Sequence, residues 1–194
     1  MDMRKFFTML LTTVVLSGNA TTVFADENEA GKIHFTGEII APSCTIKGDT
    51  GKDSTVPLGT YPTSRFKAQG DESDLIPFSI TLTGCPATSD GLPAVQLTFN
   101  GTTTLSNTST IMDVSAITTK GGSAATGVGI AITPKEKPTQ YIAFDGSDEQ
   151  VWIDLPASAS TDISADFNAR YKSYSTTVTA GPADADLTVN ILYR

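Results

Sequence analysis

From Ile33 onward, apolar and polar positions alternate with a period of two, not the 3.6 of a helix. Ile33, Phe35, Gly37 and Ile39 interleave with Lys32, His34, Thr36 and Glu38, which places the apolar set on one face of an extended strand. The same alternation returns at residues 78–82, 95–99, 128–132, 151–155 and 187–193. Between these runs lie clusters rich in Gly, Asp, Ser and Pro, at 47–53, 69–74, 84–91, 120–123 and 145–148, residue types that favour turns. No long stretch carries an amphipathic helical pattern. The pattern predicts an all-β chain folded as an antiparallel sandwich, with no internal repeat or linker to divide it.

The last run stands out. Leu187, Val189, Ile191 and Tyr193 form an unbroken stripe that reaches the penultimate residue, although chain termini usually fray. Such a terminus is either a central strand or an element of assembly, because exposed strand edges are normally blunted against self-association.

The first 25 residues read as something other than fold. Arg4 and Lys5 precede an apolar run at 6–16, the charged and hydrophobic regions of a secretory signal. Small residues place cleavage after Ala25, with a second candidate after Ala20. A membrane anchor is the alternative, but the run is shorter than the roughly 20 residues needed to span. Export in turn bears on Cys44 and Cys85. In an oxidising compartment two cysteines with a separation of 41 are most simply one disulfide; two unpaired buried thiols are the alternative. Their spacing matches no redox or zinc pattern.

Composition narrows the chemistry. The formal charge is −8, without the basic stripe that nucleic-acid binding requires. One histidine and two cysteines leave little for a metal cage or an imidazole-based triad, so the reading names no catalytic residue, no metal ligand and no cofactor. His34 lies opposite Ile33 and Phe35 in the alternation and reads as a solvated strand residue. The acidic run 145–149 lacks the order of a calcium loop and reads as a hairpin turn. Trp152, within an alternating strand, reads as a partly buried packing residue, with a ligand-stacking platform as the alternative.

Several segments together carry a family resemblance. They are residues 31–40, the run Ala41-Pro42-Ser43-Cys44, the run Val56-Pro57-Leu58-Gly59, Cys85 after Thr83-Gly84, the run Phe167-Asn168-Ala169-Arg170-Tyr171, the penultimate Tyr193, and Gly181 as the fourteenth residue from the end. In this order, behind a signal sequence, the chain resembles the pilins of the chaperone–usher pathway, type 1 fimbrial subunits among them, over essentially all of its mature length.

The resemblance implies an incomplete immunoglobulin-like β-sandwich lacking its last strand, completed by a donor strand from another subunit. It implies a signal peptide at 1–25, a donor-strand extension at 26–35 and a pilin domain at 36–194. Gly31, Ile33 and Phe35 take the donor role, with Ile33 and Phe35 as apolar plugs. Gly181, Leu187, Val189, Ile191, Tyr193 and Arg194 take the chaperone and assembly role. The implied partners are neighbouring subunits in a head-to-tail polymer, a periplasmic chaperone, an outer-membrane usher and a host surface receptor. The implied place is a fimbrium on the outer surface of a Gram-negative bacterium, reached through the periplasm. Residues 26–30 are acidic where an apolar residue is expected; cleavage after Ala20 would add Val23 and Phe24 to the donor. The expected function is that of a structural fimbrial subunit contributing to cell adhesion. The alternative is a minor adaptor or adhesive subunit of the same fold that binds a host receptor.

Overall fold

A computed structural model of the chain describes residues 31–194, except 38, 40, 42, 119–121 and 160. The signal expected at 1–25 and the first part of the extension, 26–30, lie outside the described residues. The chain divides into two units, Met1–Thr36 and Gly37–Arg194, and the sandwich belongs wholly to the second.

Its strands in chain order are β1 (Thr45–Ile46), β2 (Ile76–Thr83), β3 (Ala94–Asn100), β4 (Met112–Asp113), β5 (Val128–Pro134), β6 (Val151–Asp154), β7 (Ile163–Ser173) and β8 (Thr188–Tyr193), with one 3-10 turn at Thr63–Arg65. They form a five-stranded sheet in the order β1-β2-β7-β5-β4 and a three-stranded sheet in the order β6-β3-β8. All pairings are antiparallel. The core lies between the two inner faces, where Val95, Leu97 and Phe99 of β3 meet Ile130 and Ile132 of β5 and Phe167 of β7. Phe167 stacks on Phe78 at 5.4 Å between centroids and takes Phe99 edge-on at 5.9 Å.

Five of the six expected strands are present with ends shifted by a few residues, and two expectations change. The run from Ile33 to Ile39 is not a strand among its described residues. Ile33, Phe35 and Ile39 are 82%, 92% and 101% exposed: with no sheet edge paired to them, the alternation alone does not form a strand. Trp152 is 48% exposed, because in β6 the inner positions are Val151 and Ile153 while Trp152 and Asp154 face outward. The sequence shows the longest strand, β7, only as a short motif. Its inner face reads Ile163, Ala165, Phe167, Ala169 and Tyr171, and the two alanines weaken the apolar signal.

The outer face of β7 holds a polar cluster that ties three distant segments together. Arg170 Nη1 donates to Glu72 Oε2 at 2.9 Å and Lys172 Nζ to Glu72 Oε1 at 2.7 Å, and the Tyr141 hydroxyl donates to the same carboxylate. Arg170 Nη2 also reaches Thr133 Oγ1 at 3.0 Å. Lys172 Nζ sits 4.4 Å from the Tyr141 ring centroid. Burial by itself pushes Glu72 up, but the hydrogen bonds from Lys172 and Tyr141, with the charges of Arg170 and Lys172, outweigh it and hold the carboxyl below its ordinary value. Arg170 is buried, so its charge depends on Glu72 for compensation.

Gly181 makes the closest backbone contact near the start of β8. A Cβ there would meet Ser123 O at 2.4 Å and Ala125 N at 2.6 Å. Ala125 N donates to Pro182 O at 2.9 Å and Thr179 N to Thr126 O at 3.2 Å. The segment before β8 is thus sewn to 124–126 at a distance only glycine allows.

Replacing Glu72 by Gln should lower unfolding free energy by about 1–3 kcal/mol, since a buried cation loses its counter-charge; urea titration at neutral pH measures it. Because the folded Glu72 value lies below the unfolded one, its contribution is present above the unfolded value and fades as pH falls through the folded one. The gap between the parent and the Gln variant should therefore narrow on acidification. Gly181→Ala should cost about 1–3 kcal/mol through overpacking against backbone, read as a lower midpoint of thermal unfolding with an unchanged far-UV spectrum.

Candidate functional site: an open groove beside the last strand

β8 is the edge of its sheet. It is hydrogen-bonded to β3 in the register Val95↔Tyr193, Leu97↔Ile191 and Phe99↔Val189, and its other edge has no strand among the described residues. Val95, Leu97 and Phe99 are fully shielded from solvent, whereas their partners Val189, Ile191 and Tyr193, together with Leu187 just before the strand, are only half-buried against the core. The apolar stripe legible in the sequence therefore faces inward but is covered on one side only.

Beside that edge runs a groove of about 660 Å³. One wall is the extended segment 52–58, the other is Ala185–Val189, and the floor is Phe78 and Ile80 of β2, Ile130 and Ile132 of β5, and Ala169 of β7. A second cleft of about 350 Å³ is lined by the next residues of the same two segments, Gly59–Tyr61 and Thr179–Asp184, over Phe66, Val128 and Tyr171. Thr60, Thr63 and Thr179 are among its lining. A floor of branched aliphatics with an unpaired strand edge offers what an extended peptide needs: backbone partners along one side and pockets for alternate side chains.

The walls are held from several directions. Cys44 and Cys85 form a disulfide, which joins the segment before β1 to the loop after β2. The Cys44 N–H donates to the Tyr193 hydroxyl at 2.8 Å, so the penultimate residue fastens β8 to the disulfide end of the chain. Tyr171 donates its hydroxyl to Ala183 O at 3.0 Å. Asp184 accepts from the Thr118 hydroxyl at 2.7 Å and from Thr118 N at 3.0 Å; these bonds, side chain first, hold its carboxyl below the ordinary value. Arg194 Nη2 pairs with Asp148 Oδ2 at 2.5 Å.

The expected assembly residues therefore lie along one feature. Leu187, just before the last strand, and Val189, Ile191 and Tyr193 within it pack against the core, with Leu187 and Val189 lining the groove; Gly181 lines the second cleft, and Arg194 follows the strand's last residue. The expected donor residues lie in the other unit: Gly31 has a φ of +141° with open space around its Cα, and Ile33 and Phe35 are exposed. Sequence reading takes Val56-Pro57-Leu58-Gly59 only as a family motif and misses that 52–58, an irregular stretch without periodicity, forms a wall; it also misses the Tyr193 to Cys44 bond, which links residues far apart in the chain. Among the described residues, no three side chains of His, Cys, Asp or Glu come together as a metal site.

Comparisons with known proteins agree with this geometry. Residues 33–194 match the family model described as Fimbrial protein. A type-1 fimbrial protein subunit of Serratia marcescens is 37% identical over 192 residues, covering 95% of this chain and 96% of that protein. Long polar fimbria protein A of Salmonella typhimurium is 31% identical, covering 99% of this chain and 98% of its own length. In fold the chain is similar to the P pilus rod subunit PapA, with a TM-score of 0.56 at 19% identity, covering 79% of this chain and 100% of that one. A chain of a chaperone-usher pilus aligns with a TM-score of 0.55 at 21% identity, over 87% of this chain and 98% of its own. The open groove beside β8 is thus that of an incomplete immunoglobulin-like sandwich. The chain belongs to the fimbrial protein family of chaperone–usher pilins: it is a structural subunit of an extracellular bacterial pilus, polymerises with other pilins, and is not an enzyme.

Proposed function

We propose that the chain polymerises head to tail by donor-strand exchange, its extension at 26–35 filling the groove of one neighbour while its own groove, in the domain 36–194, receives the extension of the next. The observation that carries this reading is the unpaired edge of β8 above an apolar floor. Supporting it, Ile33 and Phe35 stand two residues apart and almost fully exposed, the spacing at which side chains fall on one face of a strand. Each apolar plug buried contributes about 1.5–3 kcal/mol, and each backbone hydrogen bond along β8 about 0.5–1.5 kcal/mol net. Donor and acceptor are different surfaces, so the contact repeats as a filament and does not close into a dimer.

The same open edge favours a periplasmic chaperone that lends a strand until assembly at an outer-membrane usher, with the carboxylate of Arg194 as the handle at the end of β8. Residues 1–25 serve as the export signal, and the assembled fibre stands on the outer surface of a Gram-negative cell, contributing to adhesion to a host surface. Glycine at 31 keeps the donor slim between the two plugs and the acidic residues 26–29.

Phe35→Asp should leave the domain able to receive a strand but not to supply one, because a carboxylate would enter an apolar groove. In fibres sheared from cells and run unboiled in SDS, the ladder should shorten to its first rungs; a full-length ladder overturns the donor assignment. Deleting Tyr193-Arg194 should lower periplasmic yield and chaperone co-purification together, and unchanged values of both would remove the C-terminal handle.

A further inference from the structure

Asn100, the last residue of β3, is exposed and is followed by Gly101. An asparagine before a glycine is open to self-modification, because no side chain on the second residue shields its backbone nitrogen from the carboxamide. Packing keeps the glycine in place: a Cβ at Gly101 would meet Met112 Sδ at 2.6 Å and Met112 Cγ at 3.0 Å, and Met112 is buried. The Asn100 side chain lies against Gly146, where a Cβ would come within 2.8 Å of its Oδ1. It makes no hydrogen bond among the described residues.

The backbone around this pair is clamped from two sides. On one side Gly101 N donates to Phe144 O at 3.0 Å and Gly146 N to Phe99 O at 2.9 Å, and Asn100 bridges to Asp145. On the other side Asn100 pairs with Thr188, the first residue of β8. The attacking nitrogen is therefore engaged as long as the seam is closed. The clamp also stands at the root of the strand whose outer edge is open: the next pair in the ladder is Phe99 with Val189, and Val189 lines the groove. A strand with solvent-exposed backbone groups along one edge opens locally at lower cost than one paired on both.

We propose that Asn100 is a self-modification site, which reacts while the groove is empty and is suppressed when a strand is added to β8. Gly101 N, once released from Phe144 O, attacks Asn100 Cγ. The N–Cγ bond forms, the Cγ–Nδ2 bond breaks, and the Gly101 proton passes through water to the leaving nitrogen, which departs as ammonia. Water then opens the succinimide at either carbonyl and leaves aspartate or isoaspartate, with no change of oxidation state. Isoaspartate carries an extra methylene in the main chain, which displaces Gly101 N from Phe144 O. Either product sets a carboxylate opposite Asp145, and like charges facing each other across a strand pair are destabilising. The mark thus accumulates on subunits that stay open and weakens the root of β8 in them. Suppression by an added strand rests on donor-strand exchange; the chemistry at Asn100 does not.

The test follows residue 100 by tandem mass spectrometry and isoaspartyl methylation in the Phe35→Asp subunit, which keeps an open groove and supplies no donor. The refolded subunit is aged in mildly alkaline buffer alone, with a synthetic peptide of residues 26–35, and in urea. Conversion should be fastest in urea, slower in the open subunit and slowest with peptide, by about two- to tenfold for each hydrogen bond that must open first. Asn107, followed by Thr108, is the internal comparison and should stay intact. Asn100→Gln, whose longer side chain disfavours the ring, should abolish the mass gain while peptide is still captured. An open subunit that keeps Asn100 as long as Asn107 overturns the site. Peptide capture in native mass spectra without slower conversion overturns the suppression and leaves strand exchange standing; no capture overturns both. Fibres sheared from cells should keep Asn100 when aged intact and lose it when boiled and held in urea, and equal rates there overturn the proposal whether or not the free subunit refolds.

Discussion

A β-strand has two edges, and the last strand of this protein uses one. β3 takes one side of β8, the other side opens onto the groove, and much of the molecule's behaviour follows from that asymmetry. Apolar residues that a closed sandwich would bury stay half-covered, and a row of backbone donors and acceptors has no partner within the sandwich. Such an edge ordinarily invites aggregation. In the donor-strand exchange proposed above the same edge is the means of assembly, provided that the groove admits a particular extended segment and not any strand that drifts past.

Selectivity of that kind needs a groove whose shape exists before it is filled. The structure supplies fixed walls: the disulfide, the Tyr193 to Cys44 bond and the glycine-tight seam between 179–182 and 124–126. On the outer face of the same sheet whose inner face forms the floor, Glu72, Arg170, Lys172 and Tyr141 fix β7 against the segments before β2 and after β5. The groove is therefore walled by covalent and hydrogen-bonded contacts with one side open.

Surface charge forms a second layer of organisation. The acidic excess is not spread evenly: on one outer face Arg170 and Lys172 share the single carboxylate of Glu72, whereas Asp154 in β6 is exposed and forms no ion pair among the described residues. End-to-end joints in a fibre depend on shape and apolar burial, which salt affects little, whereas contacts between charged faces are screened within about 10 Å at 0.1 M ionic strength.

The sequence by itself determined the class of fold, because the two-residue period at 78–82, 95–99, 128–132 and 187–193 depends only on which side chains resist water. It also determined which residues repeat along the last strand, and the cysteines that pair. It could not show β7 in full, where Ala165 and Ala169 blur the apolar face, nor that Trp152 points outward, which depends on which side of β6 meets the core. Gly181 could be matched by its place from the end, but the reason for it, the backbone of 123–125 at contact distance, appears only in three dimensions. The run from Ile33 to Ile39 carries the pattern of a strand and is not one among its described residues, since pairing is a property of two segments and not of one. The tertiary structure decided where an edge was left open: strand order is set by contacts between residues tens of positions apart, to which local periodicity is blind.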